Sequence, residues 1–405
     1  MEIAITSQIH ISLRKEIFLN FLIYVVWAAM LHTYLRGIFI RIPFFKDNVE
    51  IAFTIYFATP VLLALPSLIN KFSLGDYCFY LINVFYLLAN YAFFPENTEY
   101  LNENVLICIF CVFPFYFIGR IIDIEKSYHV FLILSTICII ADLLYFLVYA
   151  QNHKNMQEVA GSDNMYSAYL VLPHVTFMLW ATLRKFRIWK AIITFLGIMF
   201  LLSCGTRGPL VCVGFFGIIY FFFYMRFKGA IYVKLGLIAL SSILIVNLQS
   251  AVLFLAKLFT GLQLSTRILE KFITGELGND SYRSVLRDKL YSVVNDGEHF
   301  LGLGVFGCRN YDIIYPHFLP LDLACTYGNL VGYTLLVLLT ILIAWAFYTT
   351  RGKINQEFLL YLFSICIIKL FLSGSFIIEP YFFLLIGVCI KEILYSHTTL
   401  SETRP

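Results

Sequence analysis

Residues 324–347 read ACTYGNLVGYTLLVLLTILIAWAF, a stretch without a single Asp, Glu, Lys or Arg. A helix needs about 20 mostly apolar residues to cross the hydrocarbon core of a bilayer, and this stretch is long enough. The whole chain has the same character, because 60% of its 405 residues are hydrophobic and only 13% are charged. Soluble domains carry roughly 25% charged residues. The composition therefore predicts an all-α polytopic membrane protein.

Apolar segments of spanning length recur along the chain and predict about twelve transmembrane helices. They lie at residues 17–35, 51–69, 76–95, 105–122, 128–150, 164–182, 188–203, 209–225, 231–257, 324–347, 357–373 and 374–391. Only Gly374 separates the last two segments, so a single re-entrant hairpin remains an alternative there. No internal repeat is visible, which disfavours transporter architectures built from duplicated halves.

The distribution of Lys and Arg predicts the orientation of these helices. With the N-terminus inside, the inner segments hold 16 Lys and Arg, whereas the short outer loops hold five. Cytoplasmic loops carry the excess of these residues in membrane proteins. Both termini are therefore predicted to be cytoplasmic, and the long loop 258–323 extracytoplasmic. Residues 1–257 would form the first nine spans, and residues 324–405 the last three with a cytoplasmic tail.

Charged residues are concentrated in the long loop. Six Lys and Arg and eight Asp and Glu lie between Thr260 and Asp322, so we expect a binding or catalytic surface there. The net charge of +4 is spread along the chain and gives no indication of nucleic-acid binding. The ten cysteines show no spacing suited to zinc, and most lie in apolar segments. Cys308, in the loop, is predicted to be the one exposed thiol.

A tight turn is predicted where SCGTRG, residues 203–208, ends one apolar segment. Pro209 suits the first turn of the helix that follows. Backbone amides at this helix start and the guanidinium of Arg207 are suited to bind an anion. An ordinary inter-helix turn, with Arg207 extended to the membrane surface, is the alternative.

A second pair of cations lies in the long loop, where Arg283 and Arg287 are four residues apart beside an apolar stripe. This spacing predicts a helix that lies on the membrane surface with both cations on one face. Two interpretations remain open. The pair anchors the helix to anionic lipid, or it binds a lipid-linked diphosphate.

Tyr315 and His317 lie directly before the next apolar segment. A histidine at a membrane surface is suited to act as a general base, although a structural role is the alternative. The glycine run Gly302–Gly307 is not preceded by a strand pattern and does not indicate a dinucleotide-binding fold. Among ionisable residues inside apolar segments, Lys369 and Glu379 either pair with each other or line a polar cleft.

In this order, the Ser-Cys-Gly-Thr-Arg-Gly segment, Tyr282-Arg283, the glycine run and Tyr315-Pro-His317 resemble the O-antigen polymerase and ligase superfamily. A helix that opens with Tyr327-Gly328 follows, as in that family. The matching family stretches read roughly Ser-Gly-Ser-Arg-Gly and Pro-His-Asn. The resemblance covers mainly residues 200–333. This chain departs from the pattern at Phe318, where the family often has Asn, and at Cys204.

The resemblance implies a bacterial inner-membrane glycosyltransferase with an architecture similar to the GT-C type, acting at the extracytoplasmic face without a metal or cofactor. Its donor would be an undecaprenyl-diphosphate-linked oligosaccharide, and a chain-length regulator protein is a possible partner. By the same resemblance, Arg207 and Arg283 hold the diphosphate, and His317 deprotonates the acceptor hydroxyl or orients the leaving group. The other substrate-binding residues implied are Arg287, Tyr282, Tyr315 and Lys369.

Several functions remain open within this resemblance and beyond it. A polymerase joins lipid-linked repeat units, whereas a ligase moves the finished glycan to lipid A core, and the departures at Cys204 and Phe318 favour the more divergent polymerases. A transporter of the lipid-linked sugar would be expected to carry charges through the full depth of its helix bundle. An assembly protein without chemistry would not require Arg207, Arg283 and His317.

Overall fold

The structure is a computed structural model, and it describes residues 72–152, 156–225, 248–261, 266–275, 283–296 and 299–402. Within these ranges the elements are helices, and no strand occurs. The predicted segments 17–35 and 51–69, and most of 231–257, lie outside the described residues. The total of twelve spans therefore stays a prediction.

Fifteen α-helices form the described part of the chain. They are α1 (Leu74–Phe93), α2 (Thr98–Ile107), α3 (Phe115–Ile121), α4 (Ile124–Asn152), α5 (Met156–Arg184), α6 (Ile188–Ser203), α7 (Arg207–Ile219), α8 (Leu248–Gly261), α9 (Arg267–Ile273), α10 (Arg283–Val294), α11 (Leu319–Tyr327), α12 (Asn329–Thr349), α13 (Ile354–Phe363), α14 (Lys369–Leu372) and α15 (Pro380–Glu402). Wider π-helical turns follow α2, α7 and α13 at Cys108–Val112, Tyr220–Tyr224 and Ser364–Ile368.

Five helical stretches in the described ranges are long and apolar enough to cross a membrane. They are Pro95–Ile121, Ile124–Leu144, Arg207–Tyr224, Asn329–Thr349 and Ile354–Leu372. Together with the composition, they support the membrane character of the chain.

One predicted span is interrupted in the structure. The segment 324–347 does not form one helix, because Gly328 has a φ of +81° and separates α11 from α12. A Cβ at Gly328 would lie 2.1 Å from the carbonyl oxygen of Phe300. Only glycine fits this left-handed position against a neighbouring backbone, so the loop that precedes α11 decides where the helix breaks.

The chain forms two units of packing. Unit 1 comprises Met1–Val130, Lys289–Leu359 and Gly374–Pro405. Unit 2 comprises Phe131–Asp288 and Leu360–Ser373.

Unit 1 is built on a close approach of α3 and α15. A Cβ at Gly119 would lie 2.3 Å from the carbonyl oxygen of Leu384, and one at Gly387 would lie 2.2 Å from that of Tyr116. Small residues allow two apolar helices to bring their backbones into contact in this way. The contact also positions Arg120 of α3, whose Nε lies 2.7 Å from the carboxylate of buried Asp76.

Unit 2 is built around α5, which packs against α6 and α7. Thr182 and Thr194 share a hydrogen bond of 3.0 Å between α5 and α6. An aromatic cluster fills the interior, where the ring of Trp180 stacks on that of Tyr361 at 6.1 Å between centroids. The hydroxyl of Tyr361 also donates to the carbonyl oxygen of Pro173, which fixes the segment that carries Lys369 against α5.

Candidate functional site

The predicted turn before Arg207 is present in unit 2. Helix α6 ends at Ser203, and Gly205 takes a φ of +69°, a left-handed conformation that glycine adopts without strain. Helix α7 then begins at Arg207, with Pro209 in its first turn. The hydroxyl of Thr206, the residue directly before α7, is buried and has no hydrogen-bond partner among the described residues. A buried hydroxyl of this kind has donor capacity for a bound group.

Tyr169 connects the start of α7 to Lys369. A Cβ at Gly208 would lie 2.0 Å from the Tyr169 hydroxyl oxygen, so this hydroxyl lies against the first turn of α7. The ammonium of Lys369 lies 5.4 Å from the centroid of the Tyr169 ring. The face of an aromatic ring attracts a cation at this distance. Tyr169 thereby positions Lys369 close to the helix that begins with Arg207.

Arg283 contacts the same segment. It is the first residue of α10, and its guanidinium donates to the carbonyl oxygen of Leu372 at 2.8 Å. Leu372 ends α14, which begins at Lys369, so the cation satisfies a carbonyl at a helix C-terminus. A guanidinium has five N–H donors, and one bond to a carbonyl leaves geometric capacity for an anion. Arg287 lies one turn further along α10, and its Nε approaches the carbonyl oxygen of Arg283 at 3.3 Å.

Four of the predicted site residues thus belong to one connected group in unit 2. We call Arg207, Arg283, Arg287 and Lys369, with Tyr169, the cation group. The sequence placed these four cations in three separate segments, whereas the structure links the segments through Tyr169 and residues 369–372. Unit 2 as a whole carries fifteen Lys and Arg and seven Asp and Glu.

Tyr315 and His317 lie in unit 1, in the loop before α11. Their rings meet edge to face at 4.4 Å between centroids. His317 has a φ of +57°, which is uncommon for a residue with a Cβ. Backbone strain of this kind is found preferentially at functional sites. His317 also directly precedes Phe318, at the N-terminal boundary of α11.

Asp322 is a buried acid in the same region that the sequence reasoning missed. It is 5% exposed, and its Oδ2 accepts a hydrogen bond of 2.9 Å from the amide of Phe376. Its own amide donates to the carbonyl oxygen of Phe318, the residue after His317, at 2.9 Å. Burial raises the pKa of the Asp322 carboxyl to about 7. Asp322 therefore ties the histidine turn to residues 375–379, at whose end Glu379 is also buried.

The glycine run serves close packing inside unit 1. A Cβ at Gly302 would lie 2.5 Å from the amide nitrogen of Gly328, and one at Gly304 would lie 2.6 Å from Asn90 Oδ1. The amide of Leu303 donates to the carbonyl oxygen of Cys325 at 2.6 Å. These contacts fix the loop against α1 and the end of α11, so the glycines support the histidine turn.

The prediction that Cys308 is exposed is wrong. Cys308 is 6% exposed, because the loop folds over it and Ile314 O accepts from its thiol. Burial raises the pKa of this thiol to about 12. The exposed cysteine of the described residues is Cys78. Tyr282 lies outside the described residues, and the Lys369–Glu379 ion pair stays a prediction.

Within the described ranges, no group of three or more His, Cys, Asp or Glu side chains has the arrangement of a metal site. Comparisons with protein-family models, with curated proteins and with solved structures found no match to this chain.

Proposed function

We propose that the chain is a membrane glycosyltransferase that joins undecaprenyl-diphosphate-linked oligosaccharide units into a surface polysaccharide at the extracytoplasmic face of the bacterial inner membrane. The observation that carries this proposal is the cation group. Three segments far apart in sequence, which carry Arg207, Lys369 and Arg283, meet through the contacts of Tyr169 with Gly208 and Lys369 and of Arg283 with Leu372. The sequence resemblance supports the same assignment independently, through Arg207 and Arg283.

A diphosphate leaving group requires this type of site. As the bond from the anomeric carbon to the diphosphate breaks, negative charge accumulates on the departing oxygens. Fixed guanidinium groups in a partly dry site stabilise such charge far more strongly than water does. The contacts of Arg283 with Leu372 and of Lys369 with Tyr169 hold two of these cations before substrate binds. Little reorganisation is then needed during the reaction.

His317 is the proposed general base for the acceptor hydroxyl. The imidazole accepts the proton of that hydroxyl while the hydroxyl oxygen attacks the anomeric carbon of the donor. The hydrogen bond from the Asp322 amide to Phe318 O restrains the turn that contains the strained backbone of His317. A pre-organised base supports catalysis because its geometry is set before the substrate arrives.

The experiment is complementation of a strain that lacks this gene, with glycan length measured on a gel and membrane levels of each variant measured in parallel. Wild type restores a ladder of repeats. Arg207→Ala, Arg283→Ala and His317→Ala insert normally and leave core plus one repeat. Lys289→Ala is the matched control, since it removes an exposed cation of the same helix as Arg283, and it retains the ladder.

Two results would contradict the proposal in different ways. If wild type only moves preformed long chains from carrier lipid to core, the protein is a ligase with the same site. If the three variants all support a normal ladder, the cation group and His317 do not act in catalysis, and a transporter or assembly role replaces the enzyme.

A further inference from the structure

A second basic surface lies in the turn between α5 and α6. It comprises residues 184–189, RKFRIW, and every one of these residues is exposed. Arg184, Lys185 and Arg187 supply three positive charges within four positions. We call this segment the basic turn. The proposed transferase chemistry does not use it.

The basic turn is held in place by a buried cation. Lys190, 6% exposed, donates from its ammonium to the carbonyl oxygen of Ala181 at 3.2 Å and approaches that of Lys185 at 3.5 Å. These carbonyls belong to the last turn of α5 and the residue after it, where helical hydrogen bonding ends. Because Lys190 bridges the end of α5 from its place in α6, the three exposed cations project from a fixed backbone.

The basic turn stands at one end of an apolar stripe. Ile188, Ile192 and Phe195 of α6 are 72%, 53% and 59% exposed, and their spacing places them on one face of the helix. An exposed apolar face on an apolar helix is suited to contact lipid chains. Phe186 and Trp189, at 69% and 46% exposed, lie at the end of this stripe, a position that aromatic side chains favour at the membrane interface. In a bilayer, a lipid-facing stripe of this kind would bring the three cations to the level of the headgroups.

The sequence on either side of the basic turn is poor in acids. No Asp or Glu occurs from Asn164 to Leu269, a stretch that includes all of α6 and α7 and most of α5. The four cations of residues 184–190 are thus concentrated in an acid-free part of the chain. Charge complementarity at the headgroup level favours an anionic phospholipid.

We propose that the basic turn binds the headgroups of anionic phospholipids, and that phosphatidylglycerol is selected over phosphatidylcholine at this position. Arg184, Lys185 and Arg187 contact the phosphate, while Trp189 and the stripe of α6 contact the upper acyl chains of the same lipid. Each cation near an anionic lipid contributes about fivefold to binding, so the three together give a preference of roughly a hundredfold.

Trp189 provides a local reporter for the test. The full-length protein is reconstituted into phosphatidylcholine vesicles that contain rising fractions of brominated phosphatidylglycerol, and in parallel brominated phosphatidylcholine, whose bromines quench nearby tryptophan. Subtraction of the Trp189→Phe signal isolates the contribution of Trp189. We expect quenching of Trp189 at much lower fractions of the anionic lipid, and a smaller preference in high salt because screening weakens exposed charges.

Glutamine variants test the cations directly. Arg184→Gln, Lys185→Gln and Arg187→Gln each lower the preference about fivefold, and the triple variant removes it. The single variants keep the test decisive if the triple variant fails to fold. The control is Arg351→Gln with Lys353→Gln, an exposed basic pair between α12 and α13, which leaves the preference at Trp189 unchanged.

Equal quenching of wild type by the two brominated lipids would overturn the proposal, and so would a preference that survives in the glutamine variants. Relief of quenching by millimolar glycerol phosphate would instead assign the turn to a soluble phosphate. None of these outcomes depends on glycan synthesis.

Discussion

The two units use their positive charges differently. In unit 1, cations meet carboxylates, as in the pairs Arg120–Asp76, Arg309–Glu103 and Lys391–Glu392. In unit 2, the described contacts of Arg283 and Lys190 are to backbone carbonyls, and that of Lys369 is to an aromatic ring. Unit 1 has fourteen Lys and Arg and eighteen Asp and Glu, against fifteen and seven in unit 2.

This difference matters for the proposed function, which uses cations of unit 2. A carboxylate neutralises its cation, and a buried pair of that kind mainly positions the backbone. A carbonyl, like that of Leu372, orients the guanidinium of Arg283 while leaving its positive charge to act on another group. By sequence, unit 2 carries a net positive charge, whereas unit 1 carries a net negative charge.

The largest expected effect is on stability, in unit 1. Arg120→Ala leaves the carboxylate of Asp76, which is 2% exposed, without its cationic partner. Loss of one member of a buried ion pair lowers the free energy of unfolding by about 3–5 kcal/mol. Thermal unfolding of the purified protein in detergent measures this loss. The double variant Arg120→Gln with Asp76→Asn regains most of it, and an unchanged unfolding temperature in Arg120→Ala would show that the pair is not structural.

The second effect is on activity, in unit 2. On the proposed function, Arg283→Ala lowers the rate of repeat addition by about 10²–10³-fold, the usual result of removing one pre-organised donor to a developing oxyanion. The unfolding temperature changes little, because the bond to Leu372 O lies at the end of a helix of only four residues. Arg283→Lys keeps the charge but loses the planar fork, so it restores only part of the rate. If Arg283→Ala instead lost much stability and kept a normal rate, Arg283 would have a structural role like that expected of Arg120 in unit 1.

The third effect is a pH dependence that originates in unit 1. In the unfolded chain, the Asp322 carboxyl releases its proton near pH 4. In the folded protein, burial raises its pKa to about 7, so the proton is released near pH 7. The contribution of Asp322 to stability is therefore greatest below pH 4 and is lost as the pH rises through 7. Between pH 5 and pH 8 this contribution decreases by about 2–3 kcal/mol.

Asp322→Asn isolates this contribution. The amide keeps an oxygen that accepts from Phe376 N but does not ionise, so the difference in stability between variant and wild type grows from pH 5 to pH 8. Thermal unfolding at the two pH values measures it. A difference that is the same at both values would place the ionisation of Asp322 outside this pH range.

The sequence predicted the helices of this chain better than their interruptions. The predicted segment 188–203 coincides with α6, and the spacing of Arg283 and Arg287 predicted α10 correctly. The break at Gly328 could not be predicted, because apolar composition indicates which segments favour the membrane interior and does not indicate backbone conformation. That break depends on the approach of Phe300 O, which only the folded loop provides.

For the candidate site, the sequence indicated the cations but not the residues that position them. Arg207 was indicated by the glycine-containing turn around it. Arg283 was indicated by its helical spacing to Arg287. Tyr169 carries no such signal, and its partner Lys369 lies two hundred residues further along the chain. Asp322 did carry a sequence signal, because it is an acid placed directly before an apolar segment. Its role depends on the contact with Phe376, which a single sequence does not indicate.

The smallest expected effect tests whether Tyr169 positions Lys369. Tyr169→Leu removes the ring below the ammonium and the hydroxyl that lies against Gly208. A cation over a partly buried ring gains about 0.5–2 kcal/mol, so the apparent affinity for the lipid-linked donor falls by about 2–30-fold.

The matched variant is Tyr169→Phe, which keeps the ring and removes only the hydroxyl. If the ring orients Lys369, Tyr169→Phe binds donor nearly as well as wild type, and a titration of repeat addition against donor concentration separates the two variants. If both variants lose affinity equally, the hydroxyl at the start of α7 is the important group, and Tyr169 then acts on Arg207 and its helix and not on Lys369. Either result identifies which cation of unit 2 depends on an uncharged neighbour for its position.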